Sequence, residues 1–331
     1  MEIAVSKDRP GVAAFWIVVG VLAVLRIAVA FWSVPVSFAM VSTVLLTVLF
    51  LGLPIWAVFQ AARDRWTPGL AAVYLFFGVA MHAFGVVATR TFATRGFAEI
   101  AMNSVGQAGL MIWCLGLGAL LTSLLKDKNL LLPVAIFLAG FDAFLILTPT
   151  SLPQQIMQKA PEVFKSVASQ VPGMVQRAGE ATVQAGPAVY VGPADLFFLS
   201  MFAIALHKFG MRVRETQRWV MPVLIVYLLV VLFFGGVSLG PVSLGALPAL
   251  VPIGLTILLV NLREFQMKPD EKAATAVVAV LALALAGWGY SNALKAKRQT
   301  SPLDAPSSPM AAPESAGPLP SPGQVPAGPR R

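Results

Sequence analysis

The chain has 331 residues, of which 57% are hydrophobic and only 12% charged, and its mean hydropathy is +0.79. Soluble globular domains carry about a quarter charged residues, so these values exclude that class and require a multi-pass membrane protein. The net charge of +9 does not mark a nucleic-acid binder, because the basic residues sit in short loops between apolar runs, where they set topology and attract anionic lipid.

The apolar runs reach about 20 residues and lack the ten-residue alternation of a barrel, so the predicted fold is all-α and polytopic, with about nine transmembrane helices. Residues 11–32 form the first, interrupted by Arg26, which is expected to snorkel toward an interface. A cleavable signal peptide is the rival reading of this run, but it is too long and a second apolar segment follows at once. Spans at 35–60, 68–89 and 100–125 complete an N-terminal unit, 1–129. In the fourth span Gly106, Gly109, Gly116 and Gly118 offer close helix contact. Cys114 is the single cysteine, so no intrachain disulfide or cysteine metal cluster is possible. His82 and His207 have no second ligand at suitable spacing and are read as packing or interface residues, leaving no metal or other cofactor to expect.

Residues 130–262 stand apart, because two acids lie inside strongly apolar spans: Asp142 in the fifth, 130–148, and Asp195 in the sixth, 191–210. An ionisable side chain in hydrocarbon costs several kcal/mol, on the order of 3 by insertion scales, and points to function. Asp142 lies about 9 Å before the end of its helix and Asp195 about 6 Å after the start of the next, so both sit at similar depth on one side. The loop joining them, 149–190, carries Ile156, Ala160, Val163, Phe164, Val167 and Val171 at three- and four-residue spacing, which predicts an amphipathic helix lying at the interface. A seventh span follows at 219–239, and Pro248-Ala249-Leu250 opens an eighth from the side the acids face. A ninth, 273–294, is an added C-terminal span within 263–294, and the Pro-rich tail 295–331 is expected to be disordered.

Lys and Arg are more numerous in the loops on the N-terminal side, notably Lys208, Arg212, Arg214 and Arg218. That predicts a cytoplasmic N-terminus, a tail on the opposite side and aspartates toward the outer face, in the cytoplasmic membrane if the source is prokaryotic.

Two facing carboxyls share one proton, so one can activate water while the other polarises a carbonyl, which suits peptide hydrolysis without a covalent intermediate. The chain resembles the intramembrane aspartyl proteases of the presenilin and signal peptide peptidase type. The resemblance rests on Phe141-Asp142, Gly192-Pro193-Ala194-Asp195, one intervening span, and Leu247-Pro248-Ala249-Leu250, in that order, over residues 130–262. It implies a presenilin-like helix arrangement, with Asp142 and Asp195 catalytic and with Phe141, Gly192, Pro193, Ala194, Pro248, Ala249 and Leu250 shaping the cleft. The implied substrate is a transmembrane helix or remnant signal peptide within the lipid bilayer.

The chain departs from the family pattern at Phe141, where tyrosine is usual, and at Ala194, where glycine is usual. A catalytically inactive relative that binds transmembrane segments is therefore an alternative expectation, as is a transporter or membrane scaffold. Prepilin-peptidase-like enzymes also use a Gly-x-Gly-Asp motif, but the Pro-Ala-Leu opening has no place in that reading.

Overall fold

The computed structural model describes residues 10–92, 96–148, 155–156, 159–178, 181–184, 189–234, 237–239, 242–244 and 249–299. Its helices are α1 (Pro10–Phe31), α2 (Ala39–Ala61), α3 (Pro68–Thr91), α4 (Phe97–Leu124), α5 (Leu131–Leu147), α6 (Pro161–Val167), α7 (Pro193–Lys208), α8 (Val213–Phe234), α9 (Leu250–Asn261) and α10 (Pro269–Gln299). The first nine residues, the tail from 300 onward and Leu247-Pro248 lie outside the described residues.

Six helical segments are long and apolar enough to cross a membrane: Pro10–Phe31, Val36–Ala61, Pro68–Thr91, Phe97–Leu124, Lys128–Leu147 and Pro269–Ala296. The protein is an all-α polytopic membrane protein. The other helices in the expected set of nine, α7, α8 and α9, have 16, 22 and 12 residues. At helical rise α9 is only about 18 Å long, short of a ~30 Å hydrocarbon core.

Local chemistry fixes several helix ends. Thr67 caps α3 by accepting from the Leu70 amide at 3.3 Å, with Pro68 at the first helical position, where its missing N–H is no loss. The Lys208 ammonium at the end of α7 donates to the carbonyls of Thr122 (3.0 Å) and Leu125 (2.7 Å), placing a cation on the unsatisfied C-terminal end of α4.

Packing sorts the bundle into two groups. Helix α4 lies along α3 and α7, whereas α5 lies along α10 and α9, and α9 also contacts α8. The fourth-span glycines permit the first group's close approach. A Cβ on Gly109 or Gly116 would run into the α3 backbone at His82 and Leu75, and one on Gly118 would sit 2.6 Å from the Phe197 carbonyl oxygen of α7. In the second group, a Cβ on Gly140 of α5 would lie 2.7 Å from the Ala282 carbonyl oxygen of α10. The added C-terminal helix is thus a direct support of the Asp142 helix.

Three sequence expectations are corrected. The amphipathic helix does not run through 156–171: Gln155 and Ile156 are helical, α6 begins afresh at Pro161, and Ser169–Val171 is a strand, β1. Pro161 drives the break, since it lacks an N–H and disfavours helical backbone at Ala160, whose φ and ψ are −140° and 59°. Strand β1 pairs antiparallel with a second strand, β2 (Val189–Val191), bringing the middle of the loop to its C-terminal end. In place of the seventh predicted span, 219–239, a helix runs from Val213 to Phe234, and Val237–Leu239 instead pairs antiparallel with Val242–Leu244. Arg26 does not snorkel: it is buried, its guanidinium 5.2 Å from the Phe50 ring centroid.

Candidate functional site

Asp142 lies five residues before the end of α5, on a helix wedged between α10 and α9. Its Oδ2 accepts a hydrogen bond of 2.9 Å from the backbone N–H of Leu250, the first residue of α9. The first amides of a helix have no intrahelical partner, so a carboxylate there both satisfies one donor and meets the positive end of the helix dipole. Leu250 itself is buried, and Ala249 precedes it as the cap residue in right-handed helical backbone.

Asp195 sits in the first turn of α7. Gly192 is the cap residue, Pro193 opens the helix, and Asp195 is the third helical residue. Its carboxyl accepts from the Gly192 amide, one half of a capping box, while its own amide donates to the Gly192 carbonyl at 3.2 Å. A Cβ on Gly192 would lie 3.2 Å from Asp195 Oδ2. A glycine there leaves the carboxyl room to fold back.

The two carboxyls, 53 positions apart in sequence, are close enough to interact electrostatically. Both residues are partly exposed. Helix α7 lies along α4, and α5 lies along α9 and α10; α9, which carries the amide that ties Asp142 in place, also contacts α7.

Sequence reasoning missed two further residues. Tyr227, on α8, interacts electrostatically with both carboxyls. A lone tyrosine in a long apolar run carries no periodic signal, although it is the only tyrosine in that span. Gln107, buried on α4, donates from Nε2 to the Ala168 carbonyl at 3.0 Å and accepts at Oε1 from the Gln170 amide at 3.1 Å. It therefore bolts strand β1, and through its pairing with β2 the entry to α7, onto α4.

The remaining predicted residues fall around this centre. Cys114 Sγ on α4 contacts the Pro193 carbonyl at 3.5 Å, so the apolar-run cysteine lies against the turn that carries Asp195. Ala194 is partly exposed in that turn. Phe141 is 38% exposed and stacks on Phe137, with ring centroids 5.8 Å apart, at the outer edge of α5. His82 Nδ1 lies 2.8 Å from the Gly106 carbonyl, joining α3 to α4. Among the described residues, no group of three His, Cys, Asp or Glu side chains gathers as a metal site.

Comparison of the chain with family models, with curated proteins and with solved structures returns no match.

Proposed function

We propose that this protein is an intramembrane aspartyl endopeptidase of the presenilin and signal peptide peptidase type, with nine spans and a cytoplasmic N-terminus. The observation that carries the reading is the Leu250 amide bound to Asp142 beside Asp195. One residue from each of the three short sequences named by the resemblance supports it: Leu250 binds Asp142, and Asp142 lies within electrostatic reach of Asp195.

In this reading one aspartate, ionised, removes a proton from a water molecule while the other, protonated, donates to the carbonyl of the scissile peptide. The tetrahedral intermediate collapses as the amine leaves with a proton, and the pair returns to its shared-proton state. No metal or cofactor is required. The Leu250 and Gly192 amides orient the carboxyls, and Tyr227 supplies a polar group between helices that are otherwise apolar. The substrate is a single transmembrane helix or remnant signal peptide, locally unwound so that a backbone carbonyl reaches the pair.

Ala194 and Phe141 favour one other reading, an inactive relative that retains transmembrane-helix binding. Purified protein in lipid nanodiscs, incubated with a fluorogenic transmembrane peptide, separates the two. Cleavage lost in Asp142→Asn supports the protease, whereas peptide binding without cleavage by the unaltered chain supports the inactive relative. Cleavage that persists in both Asp142→Asn and Asp195→Asn ends the proposal.

A further inference from the structure

At the opposite end of α9 from Leu250 lies a groove of about 490 Å³ between α8 and α9. Its walls include Trp219, Val223 and Leu259, and Arg212, Glu215 and Arg263 stand at its mouth. Trp219 and Leu259 are 61% and 63% exposed, so the groove opens outward.

The mouth is built rather than incidental. Asn261, fully buried, donates from Nδ2 to the Thr216 hydroxyl at 2.9 Å and accepts at Oδ1 from the Arg212 amide at 3.0 Å, locking the end of α9 to the start of α8. Arg212 is held by Glu264 through Nε at 3.1 Å and by Glu215 through Nη1 at 3.3 Å. Arg263, by contrast, is exposed and has no acidic partner among the described residues. Lys208, Arg214 and Arg218 add to the positive charge of the same end of the bundle.

A groove walled by aliphatic and indole surface, ending in a cation without a counter-ion, matches one amphiphile: an acyl chain joined to a phosphate. We infer that the groove binds an anionic glycerophospholipid, with one chain against Val223 and Leu259, the glycerol beside Trp219, and the phosphate on Arg263. Basic pockets between helices at the cytoplasmic surface hold such headgroups, and aromatic side chains sit at headgroup level. The volume lies within the ~300–1,000 Å³ range of ligand pockets. This site is independent of the protease reading, since it involves neither aspartate.

The test uses the full chain purified in mild detergent and exposed to equal amounts of phosphatidylglycerol and phosphatidylcholine, with bound lipid counted by native mass spectrometry. The expected result is retention of phosphatidylglycerol at least tenfold over phosphatidylcholine. Two variants should each reduce that retention about tenfold: Arg263→Glu, which reverses the free charge, and Leu259→Trp, which fills the groove while leaving every charge in place. Glycerol phosphate should not compete, because it lacks the chain. Equal retention of both lipids, unchanged retention in Arg263→Glu with an unaltered melting temperature, or displacement by glycerol phosphate alone would each overturn the assignment.

Discussion

The amide of Leu250 donates to the carboxylate of Asp142 across 2.9 Å, joining the start of α9 to α5 over 108 residues of sequence. An acid that would be costly alone in hydrocarbon is thereby given a donor and the positive end of a helix. The buried Leu250, at the start of α9, thereby becomes part of the acid's immediate surroundings.

Substituting either aspartate by asparagine keeps one side-chain oxygen, so the Leu250 and Gly192 amides retain an acceptor and the fold survives. Removing a general acid or base costs about 10²–10⁴-fold in rate. Cleavage of a transmembrane reporter should fall by at least about 100-fold in each variant, with thermal unfolding in detergent little changed. Gel-resolved product against time measures the first, and a melting curve the second.

Tyr227→Phe removes one hydroxyl near both carboxyls and little volume. If the phenol orients the pair, kcat should drop about tenfold with KM nearly constant, and the pH–rate profile should shift. A purely structural role would leave the profile in place.

Asn261→Leu deletes the contacts to Thr216 and to the Arg212 amide, leaving that amide without its acceptor while the Thr216 hydroxyl still donates to the Arg212 carbonyl at 2.8 Å. A polar group left unpaired in this way costs about 1–3 kcal/mol. Chemical denaturation in detergent should register a loss within that range, and Asn261→Asp, which keeps the acceptor for the Arg212 amide, should lose less.

Gly140→Ala drives a methyl into Ala282 of α10. Overpacking of this kind costs about 1–3 kcal/mol. Adding Ala282→Gly should recover part of the loss, and a double-mutant cycle by thermal melting would give a coupling term of opposite sign to the single effect.

Glu162 on α6 is held below the ordinary carboxylate range by its 2.8 Å hydrogen bond from Lys165. A depressed carboxyl contributes only while ionised, so its effect is present above the usual value of about 4.3 and disappears as pH falls through the lower folded value. Intrinsic-rate-corrected hydrogen exchange of α6 amides should be flat from neutral pH down to the carboxylate range and rise only below it. Glu162→Gln should abolish that rise.

What the residues revealed beforehand depended on how sharply each departs from its surroundings. Asp142 and Asp195 stand out because a charge among Phe, Leu and Ala has a large cost, and the loop between their helices fixed them at one end of the bundle. Glycine at positions 109, 116 and 118 likewise announced close backbone approach. Tyr227 gave no such contrast, and Gln107 is one amide in a fourth span dominated by small and apolar residues. The break at Pro161 was legible in principle, but the recurrence of Val163, Phe164 and Val167 outweighed it. The shortness of α9 was legible as well, since Pro248 precedes its apolar run and the charged pair Arg263-Glu264 follows it.

Helix α7 is anchored mainly by glycine contact with α4 and α5 mainly by α10 and α9, but α9 touches α7 as well, and one continuous core joins Leu138 of α5, Leu199 of α7 and Ile253 of α9. Helix α9 is therefore the shared brace that sets the spacing between the two acids, and substitutions remote from both, along its contacts with α5 and α7, change that spacing.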